Sequence, residues 1–189
     1  MEAEKRIFKT IFIAMTSLLM LVVLRAAGQP QGYTLVYSPP RAYGVDWMEI
    51  KAVYVKTEGN RLYFYIEYYG AIPNSRDYKR WLGIYMDTDR NSQTGSSYKG
   101  LGLDYEIYLS TYGDGSDFVV LYKWDSTTRS WKKLDSSLGA TRAPGLSYVE
   151  VWVEQQDIGY TPQGMGFYVV AGSDVTLIPL TLRLYQRST

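Results

Sequence analysis

Short segments in which every second residue is apolar are the feature that most limits how this chain of 189 residues can fold. Alternation with a period of two is typical of a strand that presents one face to a core and one to solvent. It is clearest in residues 61–69 and 148–154, and tyrosine, which favours strands, occurs 19 times in the chain. The residues that share one face are Leu62, Phe64, Ile66 and Tyr68 in the first segment and Val149, Val151 and Val153 in the second.

Turn-forming residues separate these segments at short intervals. Glycine, asparagine and aspartate within residues 58–60, 114–117 and 125–129 indicate hairpin turns. No amphipathic helix pattern follows the N-terminal region, and only residues 72–80 could form a short helix, although a turn suits that stretch as well. We therefore predict an all-β fold of about eight to ten strands, arranged as an antiparallel β-sandwich of the jelly-roll kind over residues 46–189.

The first 28 residues have the pattern of a targeting segment. Three basic residues within the first nine precede a mostly apolar run over residues 11–24, and small residues follow at 26–28. The run is shorter than the roughly 20 residues that span a bilayer, which favours a cleaved signal peptide. Arg25, between the apolar run and the small residues, favours a hydrophobic anchor helix that is retained. Both alternatives place the rest of the chain in an extracellular or cell-surface location, with membrane contact only through this segment.

Residues 29–45 connect the targeting segment to the predicted sandwich. They are rich in proline and polar residues around the strand-like residues 34–37, and Pro39 and Pro40 cannot continue a hydrogen-bonded ladder. The segment is therefore predicted to be a linker or an edge strand. As a strand it could pair with the sheet edge of a second copy, so self-association is one alternative for the function.

The composition argues against several kinds of site. The chain has no cysteine and no histidine, which removes disulfides, thiolate chemistry and the most common general base. A formal net charge of +1 gives no sign of a nucleic-acid-binding surface. Glu150 and Glu154 could be considered a glycosidase pair, but four residues along a strand span about 13 Å, beyond the roughly 5 to 9.5 Å of such pairs. We predict that the protein is not an enzyme.

Residues 87–95, with the sequence DTDRNSQTG, have the spacing of a cation-binding loop. Oxygen-bearing side chains alternate before a glycine, which is how a short loop surrounds a hard cation such as Ca²⁺. If the carboxylates of Asp87 and Asp89 lay about 4 Å apart, their repulsion would cost about 4 kcal/mol at an effective dielectric of about 20. A divalent cation between them would make the total electrostatic energy favourable. Asp104, in the next strand-like run, is the candidate ligand from outside the loop. The alternative is an ordinary polar connection, since the same residues favour turns.

Three segments carry a resemblance to a known family. They are DWMEIKAVYVKTEGNRLYFYIEYYG (residues 46–70), IYMDTDRNSQTGSSYKGLGLDYEIYL (residues 84–109) and YVEVWVEQQDIG (residues 148–159). Together they resemble extracellular sandwich domains of the DOMON-like group, which includes family 9 carbohydrate-binding modules. The resemblance covers residues 46–174 and implies a β-sandwich whose relatives bind sugars or haem, often with structural calcium.

The resemblance also implies roles for particular residues. Carried over residue by residue, it gives the calcium ligands as Asp87, Asp89, Asn91 and Asp104. Haem-binding relatives use axial His or Met. This chain has no histidine, which excludes a conventional His/Met haem site, and a bis-Met or Lys-ligated site is disfavoured. We therefore expect a secreted, calcium-stabilised module that recognises a glycan or another cell-envelope polymer. The alternative is a structural subunit of an extracellular layer or filament that exchanges its N-terminal strand.

Tryptophan side chains are the candidate contacts for a sugar, whose ring presents flat C–H faces edged by hydroxyl groups. Trp152 shares a strand face with Glu150 and Glu154, which as charged residues favour solvent. Trp47 lies in a polar, loop-like stretch. These two tryptophans are predicted to bind the ligand. The alternative is that aromatic residues in strands serve only sheet packing and cross-strand pairing.

Overall fold

The computed structural model describes residues 29–42, 44–98, 100–115, 117–141, 145–159, 165–172 and 184–186. The predicted signal peptide or anchor, residues 1–28, lies outside these residues. Residues 1–33 and 34–189 form two separate units. The described part of the first unit is a turn, in which the Tyr33 amide donates a hydrogen bond to the Pro30 carbonyl at 3.2 Å. The described strands all belong to the second unit.

The second unit is built from strands. In chain order they are β1 (Thr34–Tyr37), β2 (Ile50–Glu58), β3 (Arg61–Tyr68), β4 (Lys79–Asp87), β5 (Ser96–Tyr98), β6 (Leu101–Leu103), β7 (Tyr105–Tyr112), β8 (Asp117–Asp125), β9 (Ser130–Leu134), β10 (Leu138–Thr141), β11 (Tyr148–Glu154), β12 (Gly166–Gly172) and β13 (Leu184–Gln186). In the part of the chain that the structure describes, the only helix is a 3-10 turn at Gln155–Ile158. No helix there is long and apolar enough to cross a membrane. The prediction of an all-β fold is confirmed, but the predicted number of strands, eight to ten, is lower than the thirteen that the described residues form.

The strands form two large sheets and one small hairpin. Five strands lie in the order β1-β2-β3-β11-β10, six lie in the order β13-β12-β4-β7-β8-β9, and β5 pairs with β6. All of these pairings are antiparallel, as predicted. Tight turns at residues 59–60 and 126–129 close two hairpins where the sequence indicates them, and residues 74–77 form a turn rather than a helix.

The two large sheets pack face to face as a sandwich. Burial alternates along β3, so that Leu62, Phe64, Ile66 and Tyr68 are buried and the residues between them are less so. The three valines of β11 are buried in the same way. Phe64 meets Phe167 of the other sheet edge to face, with ring centroids 5.5 Å apart. Each such side chain contributes about 1.5 to 3 kcal/mol by leaving water, so the alternating faces form the core.

The centre of the six-stranded sheet positions the candidate metal loop. β4 ends at Asp87, between β12 and β7. The loop after β4 leads into the β5–β6 hairpin, and Asp104 joins β6 to β7. The Asp104 amide donates to the Met86 carbonyl at 2.8 Å, which fixes this residue beside the end of β4. Antiparallel pairing thus brings the two ends of the loop to one place.

Candidate functional site

Three carboxylates converge where β4, β6 and β7 meet. One oxygen from each of Asp87, Asp89 and Asp104 lies within 4.8 Å of the others, and these residues are termed the carboxylate cluster. Asp87 is buried, Asp104 is partly buried and Asp89 is exposed. The structure therefore brings together three of the four residues predicted as metal ligands, including the one from outside the loop.

Side chains within the loop hold its conformation. Asp89 Oδ1 accepts a hydrogen bond from the Asn91 amide at 2.9 Å, and the Thr94 hydroxyl donates to Asp89 Oδ2 at 2.9 Å. Asn91, the fourth predicted ligand, accepts from the Gln93 amide through its Oδ1 at 3.1 Å. The contacts of Asp89 with the Asn91 amide and of Asn91 with the Gln93 amide are Asx turns, in which a side-chain oxygen accepts from the amide two residues further on. Asp89 and Asn91 thus shape the loop themselves.

Two glycines allow the loop to pack directly on β6. A Cβ at Gly102 would lie 2.1 Å from the Thr94 carbonyl oxygen and 2.2 Å from that of Asn91. Gly95 has a φ of +67°, and a Cβ there would lie 2.5 Å from the Leu103 carbonyl oxygen. Glycine is needed at both positions, because it has no Cβ and adopts positive φ without strain.

The main hydrogen-bond donors to the two inner carboxylates are backbone amides, those of Gly102, Arg90 and Asn91 for Asp87 and that of Thr88 for Asp104. Asp104 Oδ2 accepts from the amide of Thr88 at 2.9 Å and from its hydroxyl at 3.1 Å. Asp87 Oδ2 accepts from the Gly102 amide at 3.3 Å, whereas Asp87 Oδ1 is buried with no hydrogen-bond partner among the described residues. Burial raises the pKa of Asp87 and of Asp104, and these amide donors act in the opposite direction. A buried acceptor without a donor costs about 1 to 3 kcal/mol, so the geometry favours a positive partner.

The electrostatics of the carboxylate cluster also favour a cation. Unit charges no more than 4.8 Å apart repel by at least about 3 kcal/mol at an effective dielectric of about 20. The repulsion is weaker for Asp89, because solvent screens it. The donors are hard oxygens, and calcium, which binds oxygens at about 2.3 to 2.6 Å, holds ligands up to about 5 Å apart. The residues fit a calcium ion, and Asp87 also lines a pocket together with Arg90 and Ser92.

Trp152, the first residue predicted to bind the ligand, lies on the outer face of the five-stranded sheet. Its ring contacts Gly139 and Arg61 on that face. A Cβ at Gly139 would lie 2.0 Å from its Nε1, so the indole covers the backbone of β10. The guanidinium carbon of Arg61 lies 3.7 Å from the centroid of the ring, and Arg61 forms an ion pair with Glu154 at 2.8 Å. A sugar that stacks on Trp152 would compete with Arg61 for the indole.

Trp47, the second such residue, lies in the turn before β2. Its ring meets Tyr78 edge to face, with centroids 5.5 Å apart. Trp152 pairs with Tyr63 near the start of β3, whereas the turn that holds Trp47 is bonded to Gly70, beyond the end of that strand. The structure therefore does not bring the two predicted tryptophans into one site.

A row of aromatic rings crosses the outer face of the six-stranded sheet, and sequence reasoning missed it. Ring centroids are 5.0 Å apart for Tyr98 and Tyr168, 5.5 Å for Tyr168 and Tyr85, 6.0 Å for Tyr85 and Trp131, and 5.3 Å for Trp131 and Trp124. These five residues are termed the aromatic row. Tyr168 is buried and the other four are partly exposed. Alternation along each strand indicates that such residues face outward. It does not indicate which rings meet, because those rings come from strands that are distant in sequence.

A carboxylate lies beneath the aromatic row. Glu106 of β7 pairs with Tyr85 on one side and Tyr122 on the other, and only 9% of it is exposed. Burial raises the pKa of Glu106, and a hydrogen bond from the Tyr85 hydroxyl acts in the opposite direction. The rings of Tyr85 and Trp131 meet although β7 and β8 separate their strands, so they reach across the surface where Glu106 lies. Aromatic and hydrogen-bonding groups are thus combined on one face.

Comparison with known proteins finds no match: no family model fits the chain, and no curated protein or solved structure is significantly similar. The resemblance to the DOMON-like group therefore rests on the sequence motifs. The geometry supplies two features with chemical meaning, a carboxylate cluster suited to a hard cation and an aromatic surface with polar groups on the same sheet.

Proposed function

We propose that this protein is a secreted or cell-surface binding module, stabilised by calcium, that recognises a carbohydrate or another cell-envelope polymer. The observation that carries the proposal is the buried Asp87 Oδ1, which lies in a cluster of three carboxylates and has no hydrogen-bond donor among the described residues. A calcium ion would supply the positive charge that this oxygen needs. The predicted targeting segment at residues 1–28 supports a location outside the cytoplasm, where calcium is abundant.

Calcium at the carboxylate cluster would join three strands. Asp87 ends β4, Asp104 precedes β7, and the Asp87 carboxylate is bonded to Gly102 of β6. Extracellular modules bind calcium with dissociation constants of about 10⁻⁴ to 10⁻³ M, which suits a role in stability rather than signalling. At tenfold its dissociation constant, calcium would add about 1.4 kcal/mol to the free energy of unfolding.

Carbohydrate binding is supported by aromatic rings beside polar groups on the outer faces of both large sheets. Trp152 lies with Arg61 on one sheet, and the aromatic row lies over Glu106 on the other. Such rings offer a large apolar face with polar groups at its edge. A role in binding rather than catalysis is favoured because Glu154, one of the two carboxylates considered as a glycosidase pair, is held by Arg61.

Calorimetry tests the metal part of this proposal. Protein treated with EDTA and titrated with calcium should bind it, and chelation should lower the melting temperature. Asp89→Ala should remove both effects, whereas Asp135→Ala, which removes an exposed carboxylate in the connection between β9 and β10, should keep them. A wild-type melt that is the same with and without chelator would contradict the calcium site.

Pull-downs with pure polysaccharides test the proposed carbohydrate ligand. Retention on none of them would count against carbohydrate binding.

A second candidate function, a structural subunit of an extracellular layer or filament, is favoured by β1. This strand is the edge of the five-stranded sheet, is four residues long and leaves 48% of Leu35 exposed. Its register against β2 shifts between Leu35 and Tyr37. A short, irregular edge strand is one that a strand from another copy could replace. Light scattering should then show concentration-dependent polymerisation that is lost when residues 29–41 are deleted, and a monomer at every concentration would exclude this role.

A further inference from the structure

The aromatic row begins beside the carboxylate cluster. Tyr85 lies two residues before Asp87 in β4, and Gly166, the β12 partner of Asp87, lies two residues before Tyr168. Residues two apart in a strand lie on the same face, so the rings of Tyr85 and Tyr168 adjoin the position of the Asp87 carboxylate. Asp87 is only 2% exposed and its Oδ1 has no partner among the described residues. Two rings of the aromatic row therefore lie on β4 and β12, the strands that carry Asp87 and its partner Gly166.

The β5–β6 hairpin connects Asp87 to the first ring of the row. Gly102 donates its amide to Asp87 and pairs with Ser97, the residue before Tyr98. Tyr98 in turn lies against Tyr168, with centroids 5.0 Å apart and rings tilted by 33°. The position of Tyr98 thus depends on the contact between the hairpin and the Asp87 carboxylate.

The other end of the row is connected to Asp104. The Trp124 amide donates to the Asp104 carbonyl at 2.8 Å. Trp124 also pairs with Trp131 across β8 and β9, and their rings meet edge to face at 5.3 Å. Both ends of the aromatic row are therefore held by residues that carry the converging carboxylates.

We propose that the aromatic row is the surface that binds the carbohydrate, and that a calcium ion at the carboxylate cluster controls this binding through Tyr98. The proposal rests on the proposed function and names the site and its regulation. With the ion bound, Asp87 is fixed and the β5–β6 hairpin holds Tyr98 against Tyr168. Without it, the carboxylates repel one another and the support for Tyr98 weakens.

The shape of the row selects one kind of carbohydrate. Successive rings are tilted by 33°, 34°, 58° and 67°, so they do not lie in one plane. A crystalline polysaccharide needs a flat surface, whereas a single chain can follow such a surface. Level with Tyr85 across the sheet, the charged groups on the outer face are Glu106 and Lys133, one of each sign. The occupant is therefore a neutral, single polysaccharide chain that stacks on the partly exposed rings of the row and hydrogen-bonds to the groups between them.

Affinity electrophoresis tests the site. The probes are hydroxyethyl cellulose, galactomannan, arabinoxylan and soluble starch, each run in millimolar calcium and in EDTA. In calcium, at least one should retard the wild-type protein, and EDTA should weaken that binding. Trp131→Ala should weaken binding about tenfold or more, as truncation of a central aromatic contact usually does. Phe118→Ala, which removes an aromatic side chain that is 47% exposed and lies outside the aromatic row on the same sheet, is the control and should bind as the wild type does. Trp152→Ala tests the alternative site on the outer face of the other sheet.

Tyr98→Ala tests whether calcium controls polysaccharide binding through Tyr98. The other four rings of the aromatic row remain in this variant. This change leaves the carboxylate cluster intact, so calorimetry should show unchanged calcium binding. Polysaccharide binding should be weaker than in the wild type and should no longer respond to EDTA. A Tyr98→Ala protein that binds polysaccharide as tightly as the wild type, with the same response to EDTA, would overturn the role of Tyr98.

Other outcomes separate this inference from the function on which it rests. If Trp152→Ala abolishes retardation and Trp131→Ala does not, the protein binds carbohydrate on the other sheet, and the inference alone is wrong. If binding is equal in calcium and in EDTA, the control by calcium is wrong. If none of the four polysaccharides retards the wild-type protein in calcium, the inference fails together with the carbohydrate part of the proposed function. A melt of each variant checks folding, and Trp124→Ala replaces Trp131→Ala should the latter not fold.

Discussion

Replacing Asp87 by asparagine should raise the melting temperature in EDTA and abolish the further rise that calcium gives the wild-type protein. The change keeps the shape of the side chain and removes one of three converging negative charges. Charges no more than 4.8 Å apart repel by about 3 kcal/mol at an effective dielectric of about 20, although the exposure of Asp89 reduces its share. Part of this is relieved by relaxation of the loop, so we expect the free energy of unfolding to rise by about 1 to 3 kcal/mol without calcium.

The effect of calcium on the two proteins should differ by a measurable amount. At a hundredfold its dissociation constant, calcium should stabilise the wild-type protein by about 2.7 kcal/mol, and Asp87→Asn should lose most of that gain. In a chain of this length, 1 kcal/mol shifts the melting temperature by about 2 to 4 °C. Differential scanning calorimetry in EDTA and in saturating calcium would therefore resolve both changes.

Asp135→Asn is the matched control, since it removes the same charge from an exposed position in the connection between β9 and β10. It should leave the EDTA melt almost unchanged and keep the full response to calcium. The electrostatic reasoning is refuted if Asp87→Asn melts below the wild-type protein by the same amount in both conditions. That result would mean that Asp87 serves only as a hydrogen-bond acceptor for Gly102.

Three further substitutions test other parts of the structure. Gly102→Ala should destabilise the protein by on the order of 3 kcal/mol and weaken calcium binding, because its Cβ would lie 2.1 Å from the Thr94 carbonyl oxygen; a thermal melt like that of the wild type would show that the loop can move aside. Gly139→Ala should displace the Trp152 indole from β10 and shift its fluorescence emission, since the Cβ would lie 2.0 Å from Nε1; an unchanged spectrum would contradict the contact. Burial raises the pKa of Tyr65 to about 12, against about 10 in the unfolded chain. The neutral Tyr65 hydroxyl therefore makes its full contribution to the free energy of unfolding below about pH 10. That contribution is lost as the pH rises towards about 12. Urea unfolding should therefore show a smaller alkaline loss for Tyr65→Phe than for the wild-type protein, and equal losses would be evidence against this assignment.

The strands and the convergence of the carboxylates could be predicted because both depend on neighbours in sequence. In β3, alternation from Leu62 to Tyr68 reports directly which side chains face the core. The loop that starts at Asp87 is short, and the strand that follows it returns antiparallel, so Asp104 had to come back near the start of the loop. Local pattern and hairpin geometry were sufficient there.

The surroundings of the aromatic residues could not be predicted, because they depend on the order of strands within each sheet. Tyr85 and Trp131 meet only because β7 and β8 lie between their strands and both side chains face outward. Trp152 was predicted to be available for a ligand from its charged neighbours along β11. The groups that contact its ring, Arg61 and Gly139, come from β3 and β10, and nothing in the local sequence indicates them.

Three converging negative charges also affect when the chain can finish folding. Inside a cell, where free calcium is scarce, repulsion between the ends of β4 and β7 would oppose closure of the six-stranded sheet. A chain destined for export would then reach the secretion channel incompletely folded, as threading through a narrow opening requires. Under the proposed function, the same charges would become ion ligands in the calcium-rich exterior, so arrival outside the cell and maturation of the domain would coincide.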